Sequence, residues 1–86
     1  IRGNHAHKKC SQFFISLKDT IKIELDDGKK KKQIQLRPGH IVKINPLIWV
    51  KVYLKKNQIV CVLCDKKYSY KEYIRNYKNF KKLIKK

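Results

Sequence analysis

Thr20-Ile21-Lys22-Ile23-Glu24-Leu25-Asp26-Asp27-Gly28 is the stretch on which the fold turns. Ile21, Ile23 and Leu25 alternate with Lys22 and Glu24, and side chains two apart on a strand share a face, so residues 20–26 read as a half-buried strand. Asp27-Gly28 follows as a hairpin signal, because both residues tolerate positive φ. The return strand spans residues 32–36, with Ile34 and Leu36 inward and Gln33 and Gln35 outward. An amphipathic hairpin needs a second layer to cover its apolar face.

The flanking sequence supplies that layer. Residues 12–17 are apolar on both faces (Phe13, Ile15 and Leu17 against Phe14), which predicts a central strand. Arg37-Pro38-Gly39 is a turn, residues 41–44 a short strand, and Asn45-Pro46 a second turn. In residues 48–54, Ile48, Val50, Val52 and Leu54 lie on one side and Trp49, Lys51 and Tyr53 on the other. After a turn at residues 55–57, residues 58–64 form a further strand. Closely spaced short strands joined by turns predict an antiparallel sandwich or barrel. The pattern changes after Asp65: Ser69-Tyr70-Lys71-Glu72 has the form of a capping box, and Tyr73, Ile74, Tyr77, Phe80, Leu83 and Ile84 follow at helical spacing. One domain is therefore expected over residues 1–86, with strands over about 4–64 and a helical tail over about 69–84.

Composition excludes several classes. A chain of 86 residues forms one domain, and 42% hydrophobic residues argue against disorder. No apolar run approaches the length of about 20 residues that a membrane-spanning helix needs. Three cysteines, Cys10, Cys61 and Cys64, do not make a disulfide framework, so reduced thiols and a cytoplasmic location are expected. The formal charge of +17 favours polyanionic partners, yet lysine far outnumbers arginine and gathers at residues 29–32 and 78–86. A basic nucleic-acid-binding module is the runner-up reading, without a recognition motif to support it. Zinc held by Cys61 and Cys64 with the histidines is disfavoured, since strand positions three apart face opposite ways.

His5-Ala6-His7 carries the chemistry. On a strand the two imidazoles share a face, and histidine suits proton transfer near neutral pH. Taken alone, the spacing more often marks two incidental polar residues on a solvated strand. The surrounding residues decide between these readings. The pair followed by Gln12 resembles the first cupin motif, but Gln12 stands where a glutamate ligand would be, and Trp49-Val50-Lys51 where a further histidine would be. No metal and no cofactor are expected.

Arg2-Gly3-Asn4-His5-Ala6-His7-Lys8 resembles the signature of the WxcM-like 3,4-ketoisomerases of dTDP-sugar pathways. Asp26-Asp27-Gly28-Lys29, Pro46-Leu47-Ile48-Trp49 and Glu72-Tyr73-Ile74-Arg75-Asn76-Tyr77 extend the match in order along the chain. The resemblance implies a cupin-like jelly-roll barrel, all-β with a short helical tail, here lacking an N-terminal segment of the family and so expected to be truncated. It implies movement of a keto group between C4 and C3 of a dTDP-4-keto-6-deoxyhexose through an enediol, in nucleotide-sugar metabolism that feeds surface polysaccharide. His5 and His7 match the catalytic pair. Arg2, Gln12, Lys51, Tyr53 and Trp49 are candidate substrate contacts, and a homodimer is the expected assembly. A non-catalytic cupin remnant is the alternative if the shortened pocket fails to close.

Overall fold

The computed structural model describes residues 2–67 and 73–84. Among the described residues eight strands precede one helix: β1 (Arg2–His7), β2 (Gln12–Lys18), β3 (Ile21–Asp26), β4 (Lys31–Leu36), β5 (Ile41–Ile44), β6 (Trp49–Tyr53), β7 (Ile59–Cys64), β8 (Tyr73–Ile74) and α1 (Tyr77–Ile84). They form a five-stranded sheet in the order β4-β3-β6-β1-β8 and a three-stranded sheet in the order β5-β2-β7. All pairings between named strands are antiparallel.

The alternation read from the sequence sets the faces. Ile21, Ile23, Leu36, Val50 and Val52 from the larger sheet meet Phe14 and Ile44 from the smaller in one buried core. Ile48 and Leu54, which flank β6, pack against the same core, as does Leu25. β2 lies between β5 and β7, as a strand apolar on both faces should. The β3–β4 hairpin closes with Asp26 opposite Lys31, so its loop holds four residues. Asp27 stabilises that loop by accepting from the Lys29 and Lys30 amides at 2.8 Å through Oδ1, while Gly28 takes φ 94°.

The tail departs from the expected helix in one respect. Tyr73 and Ile74 are a strand on the edge of the larger sheet, and only Tyr77–Ile84 is helical. Asn76 provides the start of the helix, its Oδ1 accepting from the Asn79 amide at 3.2 Å. The capping-box residues Ser69 and Glu72 lie outside the described residues. Edge pairing satisfies the backbone of Ile74 and seats its side chain in a second cluster with Ala6, Trp49 and Phe80, an outcome that helical spacing over so short a stretch could not reveal. The helix is thereby pinned to the outer face of the larger sheet. Gly28 completes the contact: a Cβ there would lie 1.7 Å from Ile84 Cδ1.

Phe80 is fully buried in that second cluster, so Phe80→Ala is expected to cost about 3–5 kcal/mol. Urea unfolding followed by the fluorescence of Trp49, which touches Phe80, measures it. A loss below about 1 kcal/mol would show that the helix is not docked as described.

Candidate active site

β1 is irregular where it matters. Its pairing with β6 runs Gly3 opposite Lys51 and then His5 opposite Val50, leaving Asn4 as the extra residue of a bulge. Gly3 and Asn4 both take positive φ, 78° and 52°. Glycine suits the first position twice over, because a Cβ at Gly3 would also sit 3.2 Å from the Val50 carbonyl oxygen. The bulge sends the Asn4 side chain outward, where its Oδ1 accepts from Trp49 Nε1 at 3.0 Å.

Beyond the bulge, His5 shares a face with Val50, and paired residues on that face point into the space between the sheets. His7 follows on the same face, with ring centroids 5.1 Å apart and planes at 75°. Ala6, between them, points the other way into the Trp49 cluster. His7 is 4% exposed, and Gln12, 4% exposed, reaches the same space from β2. Tyr73 completes the arrangement, its ring 5.1 Å from His5 and 4.4 Å from His7.

The electrostatics favour a neutral His5. Burial lowers its pKa from the ordinary 6.5, the Arg75 charge adds to that, and the Gly3 carbonyl and Gln12 oppose it. His5 Nδ1 lies 2.9 Å from the Gly3 carbonyl oxygen. A carbonyl only accepts, so in the neutral ring Nδ1 carries the hydrogen and Nε2 holds the lone pair. That Nε2 is buried, with no hydrogen bond of standard geometry among the described residues.

The other candidates divide. Lys51 and Tyr53 lie with Trp49 on the outer face of the larger sheet, opposite Glu24, Lys22 and Asp26 respectively. One pocket containing both these residues and the histidines is therefore not what the structure builds, because alternation along β6 turns its odd-numbered residues away from Val50 and Val52. Trp49 and Lys51 instead line a cavity of about 290 Å³ on that outer face, with Asn4, Asp26, Arg75 and Tyr77. Tyr53 donates to Glu24 Oε2 at 2.9 Å, which raises its pKa. The side chain of Arg2 lies outside what the structure describes. Cys64 pairs with Gln12 and Cys61 with Ile15, on opposite faces of β7. Burial, and after it Asp65 and Cys64, push the Cys10 thiol up to about 11. Two imidazoles beside an amide are a poor donor set for a tight cation site. Sequence reading missed Tyr73, which it assigned to a helix. Its alternation with Ile74 and Arg75 was the available signal.

Comparison with known proteins decides the family. The model of the WxcM-like, C-terminal family (FdtA) matches residues 1–85. The chain belongs to this family. A TDP-4-oxo-6-deoxy-alpha-D-glucose-3,4-oxoisomerase from Aneurinibacillus thermoaerophilus is 36% identical over 85 residues, 96% of this chain and 61% of that protein. Among solved structures, WlaRA, a TDP-fucose-3,4-ketoisomerase from Campylobacter jejuni, is 38% identical with a TM-score of 0.87 over 95% of this chain and 62% of its own. QdtA, a sugar 3,4-ketoisomerase from Thermoanaerobacterium thermosaccharolyticum solved in complex with TDP, is 32% identical with a TM-score of 0.91 over 98% of this chain and 63% of its own. The chain thus spans a little over three fifths of the length of these relatives, and over that span it has the cupin-like fold of the family's structures.

Because the folded state holds His5 below its ordinary pKa, the unfolded chain binds a proton more readily. Stability attributable to His5 is full above about pH 6.5, falls as pH drops below that value, and levels off below the lowered pKa. Urea midpoints measured from pH 8 to 5 are expected to show this decline, with a shallower slope in His5→Gln. Equal slopes in the two proteins would mean that His5 titrates normally.

Proposed function

We propose that this chain carries the acid–base centre of a sugar-nucleotide 3,4-ketoisomerase acting on a dTDP-linked 4-keto-6-deoxyhexose. The observation that carries the reading is the side-by-side placement of His5 and His7 on the inner face of the barrel wall. A solved QdtA mutant is in complex with TDP-4-keto-6-deoxyglucose, which supports this substrate class for the family. No helix of the described residues is long and apolar enough to cross a membrane, and a sequence with three cysteines, too few for a disulfide framework, fits work in a reducing cytoplasm.

The chemistry is a double proton exchange. A base takes the C3 proton, the C3–C4 double bond forms, and the C4 oxygen, gaining the electron pair, is protonated to give an enediol. The C3 hydroxyl then loses its proton, the C3 ketone forms, and C4 receives a proton. No oxidant is consumed, and no metal is needed if hydrogen-bond donors stabilise the enediolate. We assign the C3 proton to His5, because the Gly3 carbonyl leaves its Nε2 as the base and burial keeps the ring neutral. His7, 5.1 Å away, serves the oxygen atoms. Gln12 is the substrate contact best placed to join them, since it faces the same space from β2.

The test is incubation with dTDP-4-keto-6-deoxyglucose in deuterated water, read by NMR. Deuterium is expected at C3 of the recovered substrate and at C4 of the 3-keto product. His5→Asn should abolish C3 exchange, and His7→Asn should slow turnover about 10²–10⁴-fold while leaving residual C3 exchange. Retained exchange in His5→Asn would move the base elsewhere. No exchange in the parent, nor in the chain joined to the N-terminal segment of a relative, would end the isomerase reading.

A second copy of the chain is the expected partner in solution. Leu17 (61% exposed) and Ile41 (63%) stand with Leu63 on the outer face of the three-stranded sheet, an apolar surface that association would cover. Sedimentation velocity should give a dimer, and Leu17→Lys with Ile41→Lys a monomer. A monomeric parent, or a dimeric double variant, would remove this face as the contact.

A further inference from the structure

The tail of the chain returns to the histidines. β8 is two residues long, yet it pairs with β1 so that Ala6 faces Ile74 and His7 faces Tyr73. Ile74 therefore joins the outer cluster, and Tyr73 enters the space between the sheets beside His7. The three rings form a closed set: 5.1 Å between His5 and His7, 5.1 Å between His5 and Tyr73, and 4.4 Å between His7 and Tyr73. Strand alternation fixes where each Cβ points but leaves the side-chain torsions free, so two neighbouring imidazoles could splay apart. A third ring in contact with both removes that freedom. Tyr73 is braced in turn, with the Arg75 guanidinium 4.7 Å from its ring centroid.

Among the described residues, the groups around His5 come from three elements besides its own. Gln12 from β2 and Val50 from β6 carry no charge, whereas β8 brings the Tyr73 phenol and, just beyond it, the Arg75 cation; His7 is the titratable neighbour on its own strand. The charge acting on His5 thus comes from the tail.

We propose that Tyr73, braced by Arg75, is a positioning residue for the His5–His7 pair, so that the arm β8 sets the proton chemistry of the site. This rests on the reading of the two histidines as an acid–base pair, but its primary test needs no substrate. Imidazole NMR of the parent chain gives a titration midpoint for each histidine. Tyr73→Ala, which lets water reach the pair, is expected to raise the His5 midpoint towards the ordinary value, and Tyr73→Phe, which keeps the ring, to restore it. Arg75→Gln removes the charge without touching the core, since Arg75 is exposed, and should raise the His5 midpoint.

In turnover, Tyr73→Ala should lower kcat by about tenfold to a hundredfold with a smaller change in KM, and shift the acid limb of the pH profile upwards. An unmoved His5 midpoint in Tyr73→Ala, or failure of Phe to restore it, would overturn the proposal. Should Tyr73→Ala lose its fold, Arg75→Gln decides, and an unchanged His5 midpoint overturns it. Shifted midpoints in a chain that shows no isotope exchange would leave the positioning role intact and remove the isomerase reading alone.

Discussion

The site depends on one interruption in one ladder, the bulge at Gly3 and Asn4. A regular strand would keep β1 in continuous register with β6. The inserted residue breaks that register, and only after it does His5 come opposite Val50, on the face that looks into the barrel. The same insertion sends Asn4 outward to the Trp49 indole, which ties the bulge to the cluster that holds the helix. Two consecutive residues of positive φ are costly except where glycine or asparagine supplies them, and those are the residues present. The backbone peculiarity and the chemistry are therefore one feature of the sequence rather than two.

What the bulge delivers is an imidazole between two sheets rather than on a wet surface. The core between the sheets is apolar, with Val50 and Val52 from one sheet and Phe14 and Ile44 from the other. Burial works against the imidazolium, and a nearby guanidinium works in the same direction. The Gly3 carbonyl opposes both, but it also fixes which nitrogen carries the hydrogen. A base is most useful when it is unprotonated at working pH and when its lone pair points at the substrate. In the proposed reaction burial would supply the first condition, and the backbone carbonyl two residues away fixes which nitrogen holds the lone pair.

Much of this was legible in the residues. Strict alternation from Ile21 to Leu25 and from Ile48 to Leu54 assigned inner and outer faces correctly, because a one-residue slip there would bury lysine. Alternation also set His5 and His7 on one face, where their ring centroids lie 5.1 Å apart. The tail was misread because Tyr73 and Ile74 satisfy the helical spacing set by Tyr77 and Phe80 as well as they satisfy a short edge strand. Two residues are too few for periodicity to arbitrate, and pairing with β1 is a long-range fact. Lys51, Tyr53 and Trp49 failed to join the histidines for a reason the alternation already contained. Their face was known, but the face of His5 was not, since it depends on the bulge.

Alternation also explains how so basic a chain keeps a site for a neutral His5. Along β3 and β6 the charged residues Lys22, Glu24 and Lys51 all fall on the outer face, and the lysine run after Asp27 sits in the hairpin loop and at the start of β4. Those outer charges face water and salt, which screen them, and among the described residues Arg75 is the only charge that acts on His5 directly. Arg75 is different because it leaves the edge of the sheet at β8, next to Tyr73, where no intervening strand separates it from the rings. A sheet edge is the one place where an outer charge and an inner base can meet, and the chain puts an arginine there.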